Sequence, residues 1–486
     1  MASLKLNAFY NTALNVLKVI FPLITAPYVS RVLTPDGLGL ANFSFMYASY
    51  FSMFAALGIP TYGIREVAKL RDDRESLTRL MSELISILLI TTFIASTIYI
   101  ITVFSVDKLS SDALIYIFAG LGLYLTPLGI DWYYSGLEKF GYITLRSLII
   151  KVLSIICLFL FVKSRQDVII YVIINVASSV LSNVWNYGKL LSSGIKPSFV
   201  TKGLKKHFKP VLILFASAVA VSIYTVLDTI MLGFMKGNSE VAYYNCASNI
   251  SKMILAVLTS LSAVTMPRIA FYAKAKALDE ISELSNKSFS FVSFLAIPAA
   301  FGLCCIAPVF APLFYGDQYG GVVLPLQIMS FVILAIGLNN LSGIQLLIGM
   351  GEDKLFLKSI IAGAVTNLIL NIILIPRYGA AGASFSSVLA ESLILVITMI
   401  LVRKKLHIMI NKWVDCAKSL LVSLLFVPLF MIERQWCDGW LLVAVFVISG
   451  FVLYMVAELA IRNSAYAMFK NAIRNSLIKN GIIKDA

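Results

Sequence analysis

Residues 83–106 read ELISILLITTFIASTIYIITVFSV, an apolar run with no charged residue after its first. Wound as a helix, a run of this length crosses a hydrocarbon core of about 30 Å. Runs near this length recur from end to end of the 486 residues, of which 59% are hydrophobic and only 13% charged. A soluble domain of this size would be close to a quarter charged. The sequence is that of an all-α polytopic membrane protein with about 14 transmembrane helices. The spans are expected near 9–30, 40–62, 83–106, 113–135, 147–163, 168–188, 210–233, 242–266, 288–315, 322–348, 356–375, 380–402, 413–432 and 439–461.

An even number of spans puts both termini on one side, and the charges say which. With these spans the N-terminus, the even-numbered loops and the C-terminal tail carry 29 Lys and Arg, and the opposite side carries seven. Basic residues accumulate on the cytoplasmic side, so both termini are expected there. The same rule accounts for the formal net charge of +15 without nucleic acid as a partner. The four remaining lysines, Lys18, Lys151, Lys252 and Lys418, fall inside spans. Loops on the outer side are short and leave no room for an extracytoplasmic domain. The N-terminal apolar stretch is too long and too interrupted for a signal peptide, and reads as a retained first helix.

The longest basic cytoplasmic segment, 189–209, separates two halves that echo each other. "SGLEKF" at 135–140 matches "MGEDKL" at 350–355, and "GLANFSFMYAS" after the first span echoes "EVAYYNCAS" after the seventh. The expected organisation is therefore an N-terminal six-helix bundle over 1–188, the linker 189–209, and a C-terminal six-helix bundle over 210–402. Residues 403–486 then add two further spans and a basic tail. Six spans per half gives both copies the same orientation, with a pseudo-symmetry axis along the membrane normal, as in alternating-access transporters.

Polar residues inside the spans fall in stripes. The first span carries Asn7, Asn11, Asn15 and Lys18 on one helical face, and the sixth carries Asn175, Ser179, Ser182 and Asn186. Ser384, Ser387, Glu391 and Thr398 line a face of the twelfth, and Asn367 and Asn371 sit in the eleventh. Span ten holds Asn339, Asn340 and Gln345, span seven Ser217, Tyr224 and Asp228, span eight Asn245, Ser248 and Lys252, and span five Ser147, Lys151 and Ser154. Unpaired polar groups in lipid are costly, so these faces turn towards each other, as helix glue, or towards a wet cavity. Lys151 and Lys418 lie near cytoplasmic ends, where they can snorkel. Asp131 is expected at the interface, and Asp228 to cap or pair if it does not take part in gating. Lys18, Lys252 and Glu391 differ in lying near mid-span, where a charge costs at least about 2.5–3.5 kcal/mol. A Lys–Glu pair would account for two of them structurally; the alternative is a substrate or ion site.

Signatures of enzymes are missing. There is no Gly-rich phosphate loop, no GxSxG elbow and no clustered ligand set for a metal. His207 and His407 both fall in basic loops, and five of the six cysteines lie in or beside apolar runs. The chain reads as a transporter without a catalytic residue, cofactor or metal site.

Four segments carry a family resemblance: "PLITAPYVSRVLTPDGLGLANF" at 22–43, "DWYYSGLEKFGYITLRS" at 131–147, "LDTIMLG" at 227–233 and "LLIGMGEDKLFLKSIIAGAVTNLILNIILIPRYGAAGAS" at 346–384. They resemble the Wzx-type oligosaccharide flippases, whose superfamily also holds multidrug/ion antiporters and the peptidoglycan-precursor flippase. The resemblance implies two six-helix bundles around a cationic cavity plus two C-terminal helices. It also implies translocation of undecaprenyl-pyrophosphate-linked repeat units of O-antigen or another surface polysaccharide across the bacterial inner membrane, with membrane lipids and the polymerase machinery as partners.

Such a substrate needs hydrogen bonds for its hydroxyls and a cation for its phosphates. Candidate substrate-binding residues are Lys18, Asn11, Asn15, Lys252, Asn175, Asn186, Asn367 and Asn371. Glu391 and Asp228 are candidates for ion coupling or gating, with H⁺ or Na⁺ as the counter-ion; the plainer role for Glu391 is a fixed pair with Lys252 or Lys18. Pro22, Pro27 and Pro60 are places where helices along the path can bend. Two other readings stay open. A drug/cation antiporter should prefer acids to the two lysines and one glutamate found mid-span, and a polysaccharide polymerase or ligase needs an outside catalytic loop.

Overall fold

A computed structural model describes Tyr10, residues 20–259, 262–467 and Lys470; side chains at 217–218, 220–225, 257 and 262–264 are outside the description. Every regular element among the described residues is helical. Among the described residues, seven helices are long and apolar enough to cross a membrane, and up to nine if each of two bent pairs is one span. Their apolar faces are open: Phe93 is 73% exposed, and Leu160, Phe161, Ile448 and Phe451 are likewise uncovered. In water such surface would drive aggregation; in a bilayer it is the lipid contact. This is a multi-pass membrane protein.

The chain divides into two compact units, one through Ala242 and one from Tyr243. In the first, residues 20–32 are helical straight through Pro22 and Pro27, so neither proline breaks the helix. Helix α1 (Pro35–Ala56) follows, with Thr34 as its N-cap: the hydroxyl accepts from the Gly37 amide at 3.2 Å, and Pro35 sits at the first helical position. A 43° bend separates α1 from α2 (Ile59–Leu70), at Leu57–Gly58 and just ahead of Pro60. The single span expected near 40–62 is thus a broken one. Helix α3 (Arg74–Ser105) is capped by Asp73, which accepts from the amides of Glu75 and Ser76. These two bonds and the Ser76 hydroxyl hold the Asp73 carboxyl below its ordinary range.

The span expected over 113–135 is also broken. A helix α4 (Ala113–Ala119) is followed by short pieces and a 3₁₀ turn at Thr126–Leu128, then by α5 (Asp131–Gly136). Gly120, Gly122, Pro127 and Gly129 supply the weak points: proline removes an amide donor and glycine weakens helix interiors. Helices α6 (Phe140–Phe161) and α7 (Val168–Ser192) complete the hydrophobic set. Residues 193–204 then form a strap laid along α3. Ile195 and Leu204 are buried in one cluster with Leu77, Met81 and Leu84. The amides of Ser198 and Val200 donate to the Ser82 and Ser86 hydroxyls at 3.1 and 2.9 Å. Helix α8 (Lys205–Met235) leaves the strap and packs on α1 and α2. Gly58 lies against the Val211–Phe215 backbone and Gly233 against Phe43, and this packing carries the first unit past the 189–209 linker.

Helix α9 (Asn238–Thr259) crosses the division. The second unit continues with α10 (Ser262–Lys274), α11 (Leu278–Tyr315), α12 (Val323–Met329), α13 (Val332–Asn339) and a π-helical segment, Asn340–Ile348. Asp353–Lys405, α14, is continuous except at Gly379, whose φ of 55° and ψ of −130° fall where only glycine is comfortable. A straight helix would hold Gly363 and Ile394 about 46 Å apart. Instead a Cβ on Gly363 would touch the Ile394 side chain, and Gly382 lies against the Leu374 carbonyl. The element is a hairpin, as the two spans expected on either side of Gly379 require. Helices α15 (Trp413–Leu424), α16 (Phe426–Glu433) and α17 (Gly439–Ala460) pack on α11 through Phe294, Phe426, Phe446 and Tyr454. The Tyr454 hydroxyl donates to the Phe294 carbonyl at 2.8 Å.

Candidate functional site

The polar stripe on the second arm of α14 meets a partner at almost every turn. Ser387 shares a 3.2 Å hydrogen bond with Tyr244 of α9. Glu391, 6% exposed, accepts from the Asn339 amide at 2.6 Å, and the same nitrogen reaches the Glu391 carbonyl at 3.0 Å. The Thr398 and Ser342 hydroxyls hydrogen-bond to each other at 2.7 Å. The stripe thus faces α9, the last residue of α13 and the π segment. Such segments place an extra residue in a helix and recur at functional sites. Here the Gly349 amide reaches back five residues to the Ile344 carbonyl at 3.3 Å.

This arrangement is unusual for a carboxylate. A charge withdrawn from water needs a proton, a cation or several donors, and the described residues supply Glu391 with one side-chain donor, the Asn339 amide. The Asn339 carbonyl oxygen is buried and accepts nothing among the described residues, and the Ser384 hydroxyl is in the same state. The group that Asn339 and Glu391 form can take up a proton, or present oxygens to a cation.

Asn367 and Asn371, one turn apart on the first arm of α14, are both buried, and the Asn371 amide donates to the Asn367 carbonyl oxygen at 3.1 Å. Asn245 and Ser248 on α9 are buried, whereas Lys252 further along the helix is exposed. Asp228, near the end of α8, is 3% exposed. Lys18, Asn11 and Asn15, with Asn7, lie outside the described residues.

In the first unit the stripe of α7 divides. Asn175 is exposed and donates to the Tyr171 carbonyl at 2.9 Å. Asn186 is buried in a closed network: its amide donates to Asp131 at 2.6 Å, its side-chain oxygen accepts from Tyr142 at 3.1 Å, and its main-chain carbonyl accepts from Tyr134 at 2.8 Å. Arg146, itself buried, pairs with Asp131 at 2.8 Å and reaches Ser147 at 3.1 Å. Asn186 is thus tied to α5 and α6 through its amide, its side-chain oxygen and its main-chain carbonyl.

Sequence reading missed one cluster. Glu83, placed at a span boundary, is 3% exposed and accepts from Lys206 at 2.8 Å and His207 at 2.9 Å, with Arg79 at 3.3 Å. His207 lies in the first turn of α8, buried rather than in a free loop, and its other ring nitrogen meets the Tyr62 hydroxyl at 2.8 Å. A neutral imidazole satisfies both bonds, donating to Glu83 and accepting from Tyr62. The Arg79–Glu83 spacing of four was the available signal, and it does not reach across the chain to 206–207.

A family model described as "Polysaccharide biosynthesis protein" matches residues 4–273, more than half of the chain. The chain belongs to that family. A second model, MatE, matches residues 214–373. The chain is 24% identical over 408 residues to a protein named "Putative O-antigen transporter" of Escherichia coli (strain K12), covering 82% of this chain and 97% of that one. Similarity at 23% over 403 residues, 80% of this chain and 97% of the other, links it to the capsular polysaccharide biosynthesis protein CapF of Staphylococcus aureus. In fold it is similar to the lipid II flippase MurJ in an inward closed conformation, with a TM-score of 0.74 at 16% identity, over 94% of this chain and 99% of MurJ. An inward-facing multidrug resistance MATE family transporter aligns with a TM-score of 0.63 at 14% identity, over 80% of this chain and 94% of that one.

Proposed function

We propose that this protein is a flippase that carries undecaprenyl-pyrophosphate-linked oligosaccharide repeat units, of O-antigen or another surface polysaccharide, from the inner to the outer leaflet of the bacterial cytoplasmic membrane. The observation that carries the reading is the family match together with similarity over 97% of the O-antigen transporter relative. Fourteen spans with both termini in the cytoplasm, two pseudo-symmetric bundles and alternating access belong to the same proposal, as does hand-over to the polymerase machinery. The hairpin at Gly379 supports the span count by making two spans of one long element. Lys18 supplies the cation for phosphate, while Asn11, Asn15, Asn175 and Lys252 meet sugars or phosphate. Buried Asn186 ties α7 to α5 and α6, and Asn367 and Asn371 remain candidates for the sugar hydroxyls. Glu391 couples transport to H⁺ or Na⁺, with Asp228 as a gating group.

The MatE match over 214–373 favours a second reading, a drug/cation antiporter. One experiment separates the two. Lipid extracts from a deletion strain should accumulate undecaprenyl-linked saccharide, and the intact gene should clear it and restore surface polysaccharide. Lys18→Ala should leave the accumulation in place at normal protein abundance, and Lys18→Arg should clear part of it. A deletion strain with a normal lipid-linked pool and a new sensitivity to cationic drugs would instead select the antiporter.

A further inference from the structure

The strap borders a cleft on the face of α3. Thr78 and Arg79 form one wall, Lys196, Ser198 and Lys202 the other, and Glu83 lies at its base. Glu75 also lines it. The Glu83 carboxylate is already engaged by Lys206, His207 and Arg79, which leaves the cations of the rim facing one other acid. The segment 189–209 contains six lysines and no Asp or Glu.

Basic residues at a cytoplasmic membrane face ordinarily report orientation and no more. These are held differently. Buried Ile195 and Leu204 anchor the strap at both ends, and the Ser198 and Val200 amides are tied to hydroxyls of α3 between them. Lys196 and Lys202 therefore sit at fixed stations over a cleft instead of on a free loop, so less entropy is lost when they close on an anion. Apolar side chains flank them along the chain: Phe199, between the two lysines, is 60% exposed, and Leu191, Phe208 and Ile213, before and after the strap, are exposed too. Converging cations beside uncovered apolar side chains match an amphiphile with an anionic head.

We propose that this cleft binds the phosphate of a membrane lipid, with Lys196, Lys202 and Arg79 at the headgroup and Phe199 among the acyl chains. Basic pockets at the cytoplasmic surface hold anionic headgroups by this combination of charge and apolar contact. Two lipids carry the chemistry: a resident anionic phospholipid, and the pyrophosphate-bearing carrier of the transported saccharide. The site needs only that the strap lie at the membrane surface, and stands without the transport reading.

The test uses the full chain, purified in detergent and titrated with phosphatidylglycerol, undecaprenyl pyrophosphate, phosphatidylcholine or inorganic phosphate, with bound lipid counted by native mass spectrometry. Wild type should bind an anionic lipid in preference to phosphatidylcholine. The double variant Lys196→Gln/Lys202→Gln should weaken that binding by roughly five-fold for each lysine removed, and Lys196→Arg/Lys202→Arg should retain it. A loss seen with phosphatidylglycerol alone assigns the cleft to a resident lipid, and one seen with undecaprenyl pyrophosphate alone assigns it to the transported lipid. Equal lipid binding by wild type and the Gln double variant, or a response to inorganic phosphate without any to lipid, overturns the proposal. Arg79→Gln gives an independent route to the same readout should the double variant fail to fold, with thermal unfolding as the check. Transport is not measured, so failure here leaves the flippase reading untouched, and the reverse also holds.

Discussion

Glu391 is where one side chain decides most. The Gln variant keeps an oxygen for the Asn339 amide, whose bond at 2.6 Å holds α13 to α14, but it can neither take a proton nor carry a charge. In reconstituted vesicles Glu391→Gln should therefore bind substrate and lose the dependence of transport on an imposed H⁺ or Na⁺ gradient. Gradient dependence that persists unchanged would remove Glu391 from coupling. Fixed pairing with a lysine predicts something else, rescue of the Gln variant by neutralising Lys252 or Lys18. Among the described residues the Asn339 amide donates to Glu391, and the vesicle assay decides between the two roles. The carboxylate itself was legible in the sequence, because a lone acid deep in an apolar run is costly enough to need a reason. Asn339 was not legible as its partner. That pairing depends on how two helices far apart in the chain lie in register, and no local pattern encodes it. His207 was hidden for a similar reason: a basic run looks solvated until its acid, more than a hundred residues earlier, is brought to it.

Elements were read well where periodicity and length suffice and poorly where a helix is interrupted. The apolar run at 83–106 became α3, although the helix starts nine residues earlier, at Arg74. The span near 113–135 is interrupted by short pieces and a 3₁₀ turn, and its Gly and Pro content was the overlooked signal. Nothing in composition announces the π winding at Asn340–Ile348. Gly379 is the most exacting position among the elements. With φ at 55° and ψ at −130°, any residue with a Cβ is strained by about 1–3 kcal/mol. Gly379→Ala should lower the unfolding temperature in detergent and reduce membrane abundance, while Tyr378→Ala, at an exposed neighbour, should do neither. If both alanine variants unfold together with wild type, the turn is looser than drawn. The motif at 34–43 reads the same way. Thr34 and Pro35 start α1, and Gly39 lets the Asn238 backbone approach where a Cβ would collide.

For the whole molecule the charge asymmetry is the strongest statement in the sequence. Reporter fusions after residues 200 and 480 should report cytoplasm, and a fusion near Asp317 should report the outside. A C-terminal reporter that lights up outside would mean an odd number of spans and would reverse every loop after the error. Composition alone placed the chain in a membrane, because its apolar surface has no other solvent. The first unit reaches Ala242 with Gly58 lying against the Val211–Phe215 backbone and Gly233 against Phe43, contacts that a hydropathy profile does not register.

A lysine-rich connector between two helices would ordinarily be the first place trypsin cuts, since exposed loops are the preferred sites of proteolytic nicking. The strap offers the recognition residues and withholds the backbone. With the amides of Ser198 and Val200 tied down and Glu83 fastening Lys206 and His207, Lys202 should resist nicking in inside-out vesicles. Glu83→Ala should be cleaved there into two membrane-bound halves within minutes. Equal digestion of both forms would mean that the strap detaches faster than the protease samples it.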